Sequence, residues 1–355
     1  MTQAWLNRIG IATPEHDVHP ACVEFGRRLL PDERSQILFT RMAALADIRH
    51  RYAIFAPGNA PQDGCLDRDG FYRRGAFPST GERMARFEPE ARTLAGRAIE
   101  ALDPGSARGA ITHLIVASCT GFAAPGLDFH IMRDAGLHDS IERTVIGFMG
   151  CFAAVNALKL ARHIVRSEPA AVVLVVNLEL CSLHLQEQWQ LEKMLSFLIF
   201  ADGASAALVS ASPAGIALGK FQATVIPETE ALITWHIRDS GFDMHLSGRV
   251  PGSIRNFLRE HGWRLLGGRS AAAIRHWAVH AGGRSILDAV QHGLTLDPEA
   301  LHHSRAVLRD FGNMSSATLM FVLHRILHES GAQGDGIAMA FGPGLTVESF
   351  GFRRG

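Results

Sequence analysis

The sequence predicts a mixed α/β fold, central sheets covered by helices, built as two similar halves. Apolar runs of strand length alternate with helical segments. "ITHLIVAS" (111–118) and "IRHWAVHAGG" (274–283) read as buried strands ending in small residues, and "ARTLAGRAIEALD" and "GRSILDAVQHGL" as helices. Landmarks recur at nearly one spacing, 163 residues from His113 to His276 and 162 from Gly150-Cys151 to Gly312-Asn313. A chain of 355 residues, 47% hydrophobic and 20% charged, is also long and apolar enough to bury a substantial core.

Taken in order, the N-terminus lacks the basic and apolar segments of a signal peptide. "FAPGNAPQDGCLDRDGFYRRG" (55–75) is rich in Gly and Asp and reads as a surface loop. "GFMGCFAAVNALKLARHI" (147–164) places a cysteine between a glycine and a helical run, and "DFGNMSSATLMFVLHRI" (310–326) repeats the cadence with Asn313 in the cysteine's place. The longest apolar run, "AAVVLVVNLEL", is broken by Asn177 and falls short of the ~18 residues of a membrane span. "IFADGASAALVS" and "MAFGPGLTVESFGF" each read as strand, turn and strand. Pro and Gly in "SASPAGIALG" set the boundary near residue 213, giving halves 1–213 and 214–355, and the absence of a low-complexity linker implies that the halves pack tightly.

Composition narrows the function. Lys+Arg and Asp+Glu are 35 each, which gives no electrostatic reason to expect nucleic acid or an anionic membrane as partner. Five cysteines without close pairing argue against a disulfide framework or zinc cluster and fit a reducing cytoplasm. No G-x-G-x-x-G follows a strand, so no nicotinamide or flavin cofactor is expected. The adjacent histidines at 302–303 have no third ligand at a convincing spacing, so no metal is expected.

If the halves pack about a pseudo-twofold axis, Cys151, His280 and Asn313 converge near it. A cysteine at a helix N-terminus meets unpaired N–H groups and the positive end of the dipole, both favouring thiolate, and an imidazolium from His280 lowers its pKa further. The amide of Asn313 and the N–H of His280 then donate to one substrate oxygen and stabilise an enolate. Read singly, each has a plainer meaning: an inert core cysteine, a satisfied core histidine, a helix N-cap. Together they supply what decarboxylative Claisen condensation needs, a thiol to hold the acyl group and a pair to stabilise the carbanion left when malonyl loses CO2.

These residues resemble a known family. "GCFAA", "HAGGRSILD", "GNMSSA" and "FGPGLTVE" are similar, in order, to the nucleophile, histidine, asparagine and C-terminal loop motifs of the type III polyketide synthases, the chalcone/stilbene synthase family. The resemblance runs from about residue 5 to the C-terminus. It implies a thiolase-like fold, two αβαβα-layered halves, and a homodimer. It implies Cys151 as the attachment site, with His280 and Asn313 driving malonyl decarboxylation. Phe200 in "LIFADG" matches an aromatic gatekeeper, and Met244 in "GFDMHL" departs from the usual second one. Arg41 matches a residue that contacts coenzyme A phosphates, while Leu45 stands where plant members carry a lysine; a solvated helix face accounts for Arg41 equally well. Gly282 and Ser285 fall in the same coenzyme A region. Cys119, Thr120, Ala124, Cys181, Trp235 and Ser315 fall at cavity positions. Small Ala124 and Cys181 resemble members with a tunnel for long acyl chains, though both also read as ordinary packing residues; bulky Trp235 shrinks the elongation cavity.

The expected activity is therefore transfer of an acyl-CoA starter to cysteine, two or three malonyl-CoA extensions, and closure to an alkylpyrone or alkylresorcinol, with coenzyme A thioesters as substrates and no permanent cofactor. Two enzyme alternatives remain: a ketoacyl-synthase III type initiator using carrier-protein-bound malonate, and a Cys-His-Asn thiol hydrolase, whose local C-G-[SA]-C-[WY] signature is absent. A third is a non-catalytic binding protein on the same scaffold.

Overall fold

The computed structural model describes residues 2–58, 64–194, 198–331 and 333–355. Its strands are β1 (Trp5–Ala12), β2 (His16–Asp17), β3 (Tyr52–Ala53), β4 (His113–Ser118), β5 (Glu142–Gly147), β6 (Val173–Leu180) and β7 (Asp202–Ser210). There follow β8 (Ile216–Val225), β9 (Ile233–Arg238), β10 (Gly241–Leu246), β11 (His276–Val279), β12 (Gly334–Gly342) and β13 (Thr346–Arg354). One continuous sheet runs β11-β12-β13-β8-β1-β7-β6-β4-β5. Outward from the β1–β8 joint the two arms match: β7, β6, β4 on one side and β13, β12, β11 on the other. In both arms the pairings run antiparallel, antiparallel, parallel. The expected duplication is thus a property of the sheet itself.

The sequence accounts for this arrangement. β4 ("HLIVAS") and β6 ("VLVVNLEL") are buried at every position, as parallel strands covered on both faces must be. Between the folded-over arms lie two helices, Ala153–Ser167 and Ser316–His328, whose apolar residues share one core cluster with strands of both arms. The helix Thr80–Leu102 covers the outer face of the N-terminal arm, and helices Val250–Leu265 and Arg284–Gly293 cover that of the C-terminal arm. The layers are therefore helix, sheet, helix, sheet, helix, as in a thiolase-like fold. Ser79 and Glu82 form a capping box that starts the helix Thr80–Leu102. Gly10 lets that helix reach β1, since a Cβ there would lie 2.1 Å from the Leu102 backbone nitrogen.

Two local expectations change. "MAFGPGLTVESFGF" does form strand, turn and strand, but "IFADGASAALVS" is a single strand, β7. The counterpart of β12 and β13 is β6 and β7, which the segment 181–201 separates in the first half. Gly203 does not mark a turn; it makes room for Met314, whose sulfur would lie 2.4 Å from a Cβ. The 55–75 segment is irregular, yet Leu66, Asp67 and Tyr72 are buried. The Asp67 carboxylate accepts from the backbone N–H groups of Asp69, Phe71 and Tyr72, and the Tyr72 hydroxyl donates to the Ser182 carbonyl. Residues 59–63 of that segment lie outside the described residues.

The hairpin β9–β10 places Trp235 directly opposite Met244. No described helix is long and apolar enough to cross a membrane.

Candidate active site

After β5 the chain turns sharply. Phe148 and Gly150 take positive φ (56° and 73°), and a Cβ at Gly150 would lie 2.5 Å from Pro343 Cδ. This glycine therefore permits the turn before Cys151 to press against the Gly342-Pro343 turn of the other half. Cys151 occupies the 3-10 turn Gly150–Phe152 that leads into the helix Ala153–Ser167. The C-terminal half repeats the device. Gly312 (φ 70°) precedes Asn313, and Ser315 (φ 47°) precedes the helix Ser316–His328. His280 immediately follows β11, its N–H donating to the Met339 carbonyl at 2.8 Å.

Cys151, His280 and Asn313 line one cavity of about 50 Å3, together with Phe200, Met244 and Gly282. Asn313 is fixed on both sides. Its Oδ1 accepts from the Ser315 N–H at 2.9 Å, which leaves the amide NH2 directed at the Gly282 carbonyl, 3.2 Å away, and the cavity. Its own backbone exchanges bonds with Ile199 and Ala201 around Phe200. His280 is 1% exposed, yet among the described residues neither ring nitrogen has a hydrogen-bond partner. Buried polar atoms are nearly always paired, so an unpaired imidazole facing a cavity is arranged for something that enters it.

The electrostatics correct one expectation. Burial pushes the Cys151 thiol up to about 11, with the nearby Glu179 adding to the rise and a contact from Ser315 Oγ, 3.6 Å from the sulfur, opposing it. Burial likewise lowers His280 to about 3. Desolvation outweighs the helix terminus, so neither group ionises by itself near neutrality. Charging either group alone is therefore costly, whereas moving a proton from a thiol to an imidazole creates two charges that attract each other.

Phe200 and Met244 also border a second pocket of about 40 Å3, lined by Cys119, Thr120, Cys181, His184, Trp235 and Ser315. They form the partition between it and the Cys151 cavity. Trp235 is pinned across this inner pocket: its indole N–H donates to the Cys119 carbonyl at 2.8 Å, and its ring meets His184 and Phe242 edge-on. His184 is in turn fixed as the neutral imidazole, because Nδ1 accepts from the Phe242 N–H while Nε2 donates to the Thr120 carbonyl. On the outer side, Gly282, Ser285, Ile286 and Arg284 line a larger cavity of about 500 Å3 that shares Leu246, Val250, Gly282 and Ile286 with the Cys151 cavity. The three cavities are thus neighbours in line, the outer one and the inner one each sharing wall residues with the Cys151 cavity.

Two predicted residues do not join it. Ala124 lines a separate apolar hollow of about 290 Å3 with Phe87, Phe122 and Leu127, because the chain after Thr120 turns to the other side of β4. Arg41 is exposed on the helix Glu33–Leu45, and Met42 and Leu45 rather than Arg41 face the outer cavity. Sequence reasoning also missed Arg284, at the mouth, and Glu179. The Glu179 carboxylate is wholly buried in β6 and accepts from Ser316 Oγ (2.6 Å), Thr120 Oγ1 (2.9 Å) and the Cys119 N–H (3.0 Å). Cys119 Sγ bridges from it, at 3.4 Å, to Ser315 Oγ at 3.5 Å. The signal for Glu179 was present: a lone acid inside "VLVVNLEL", a strand apolar apart from it and Asn177.

The chain matches the family descriptions "Chalcone and stilbene synthases, N-terminal domain" over residues 3–213 and "Chalcone and stilbene synthases, C-terminal domain" over 218–354. It is 35% identical over 247 residues to the alpha-pyrone synthesis polyketide synthase-like Pks18 of Mycobacterium tuberculosis; the match spans 66% of this chain and 63% of that protein's length. The fold is shared with the C-terminal type III polyketide synthase domain of Steely1 from Dictyostelium (TM-score 0.90, 24% identity, 99% of both chains). It is shared too with 1,3,6,8-tetrahydroxynaphthalene synthase of Streptomyces coelicolor (TM-score 0.85, 27% identity, 99% of both chains). Both halves are matched in order, and the four motifs meet where the two arms of the sheet come together: this chain belongs to the chalcone and stilbene synthase family.

Proposed function

We propose that the protein is a type III polyketide synthase that uses coenzyme A thioesters and no permanent cofactor, and that its two thiolase-like halves divide near residue 213. The observation that carries this reading is the common cavity of Cys151, His280 and Asn313, in which both nitrogens of His280 lack a partner among the described residues. Cys151 sulfur attacks the starter's thioester carbonyl, the bond to the CoA sulfur breaks, and CoA leaves as the thiol with the proton held by His280. Malonyl-CoA enters next. Its bond to the terminal carboxylate breaks, CO2 departs, and the electron pair moves onto the thioester oxygen as an enolate, which accepts from His280 and the Asn313 amide. The enolate carbon attacks the acyl-cysteine, the sulfur is released, and the CoA-bound chain is longer by two carbons.

Finer readings follow. The pinned Trp235 and the small inner pocket support only two or three extensions, and the name of the Pks18 relative supports closure to a pyrone, with a resorcinol as the other outcome. The Ala124 hollow shares no lining residue with the inner pocket, the stretch 118–121 standing between them, so the tail of a fatty acyl starter reaches it only if that stretch shifts. Arg284, on the outer cavity, suits the phosphates of coenzyme A. The reduced cysteines fit a cytoplasmic enzyme. A homodimer is supported by β5, an edge strand whose outer residues are exposed beside exposed Phe122 and Met149.

Incubating the purified chain with malonyl-CoA and a panel of acyl-CoAs, without carrier protein, should consume malonyl-CoA and yield pyrones by mass spectrometry, with Cys151→Ser abolishing product. Strict dependence on acyl carrier protein would instead favour a ketoacyl-synthase III type enzyme, and full activity in the serine variant would remove the assigned nucleophile. In His280→Gln, iodoacetamide labelling of Cys151 at neutral pH should fall and its midpoint should move up towards the value near 11 that burial imposes; an unchanged labelling profile would rule out the proton transfer. Trp235→Gly should add at least one malonyl unit to the main product, and Ala124→Phe should shift preference to shorter starters. Unchanged chain length or unchanged starter preference would reject the respective cavity assignment. Sedimentation velocity should show a dimer; a monomer at micromolar concentration would exclude the β5 interface.

A further inference from the structure

The paired histidines at 302–303 do have a third ligand, which the fold supplies from 26 residues further along the chain. His302 and His303 open the helix His302–Phe311, Glu329 directly follows the helix Ser316–His328, and a nitrogen or oxygen from each lies within 4.8 Å of the others. We propose that His302, His303 and Glu329 form a divalent transition-metal site of the zinc type, with water completing the coordination.

The details of each ligand fit. His302 Nδ1 lies 2.8 Å from the Glu299 carbonyl. A carbonyl only accepts, so Nδ1 carries the proton and Nε2 is left with its lone pair available, the arrangement by which metal-bound imidazoles are usually oriented. His303 Nε2 is buried and lies 3.3 Å from Glu329 Oε2, but out of line for a hydrogen bond. Two ligand atoms of a tetrahedral zinc site, each about 2.0–2.1 Å from the metal, are roughly 3.3 Å apart. The His302 and His303 ring centroids are 3.8 Å apart. Buried His276 Nδ1 lies 3.7 Å from the same Glu329 Oε2. The neighbouring Arg325 is paired with Asp310 at 2.7 Å. Two imidazoles and a carboxylate with an open position suit zinc or cobalt better than magnesium or calcium.

His276 begins β11 and His280 follows its other end, roughly 13 Å away at about 3.3 Å per residue. The metal would therefore clip two helices together without reaching Cys151. The tag-free full chain carrying Cys151→Ala, to remove the reactive thiol, should be stripped with chelator and titrated with zinc by equilibrium dialysis and with cobalt by visible absorption. The expected result is one equivalent of zinc per chain, a tetrahedral cobalt spectrum, and a zinc-dependent rise in Tm. His302→Ala, a surface change that leaves the core untouched, should lower zinc affinity at least tenfold and remove the Tm rise, and Glu329→Gln should do the same. Zinc binding that is absent, or that persists at full affinity in both variants, overturns the site. With Cys151 intact, His302→Ala should retain malonyl-CoA consumption, so failure of the metal site and failure of the proposed activity are told apart.

Discussion

The site depends on the contact between two turns, one from each half. The turn at Gly150 meets the turn at Gly342-Pro343, and neither tolerates a side chain: a Cβ at Gly150 would strike Pro343, and one at Gly342 would lie 2.6 Å from the Phe152 ring. This contact sets Cys151 against the C-terminal half. The two central helices, buried together, hold it there because neither half covers its own inner face without the other. Loss of that packing would separate the sulfur from His280 and Asn313, which stand on different elements of the second half.

Burial gives the cavity its character. Closure of the two halves removes water, and desolvation then holds the thiol and the imidazole neutral in isolation while strengthening any interaction between them. The same closure leaves both ring nitrogens of His280 without a partner among the described residues, a cost that a substrate oxygen would offset in the proposed reaction. Beside this centre two polar side chains are well paired. Glu179, wholly buried, is surrounded by donors from Ser316, Thr120 and Cys119, and His184 is bonded at both nitrogens. Side chains fixed in this way hold the pocket walls in place, as preorganised chemistry requires.

The segment 181–201 gives the two halves different tasks. In the C-terminal half, β12 and β13 are joined by a tight turn; in the N-terminal half the corresponding strands, β6 and β7, are separated by a segment that carries Cys181, His184 and Phe200. One copy of the repeat thus supplies a compact turn against which the nucleophile packs, and the other supplies walls for a pocket. Opposite them, the β9–β10 hairpin contributes Trp235 and Met244 from facing positions.

Much of this was legible in the sequence. Apolar run length and alternation gave the strands and helices, because burial on both faces demands continuous apolar stretches. The spacing of His113 and His276, and of Gly150 and Gly312, gave the duplication. Four short motifs in order indicated the catalytic set, because glycine-bounded turns at helix starts leave a local signature. What the sequence could not settle were relations between distant residues: that Ala124 faces a separate hollow, that Arg284 rather than Arg41 faces the outer cavity, that Glu179 lies beneath the nucleophile, and that Glu329 reaches the paired histidines. Local chemistry sets what a segment becomes, but only the docking of the two halves sets which groups meet and how strongly burial shifts their charge. Proximity and desolvation are properties of the packed whole.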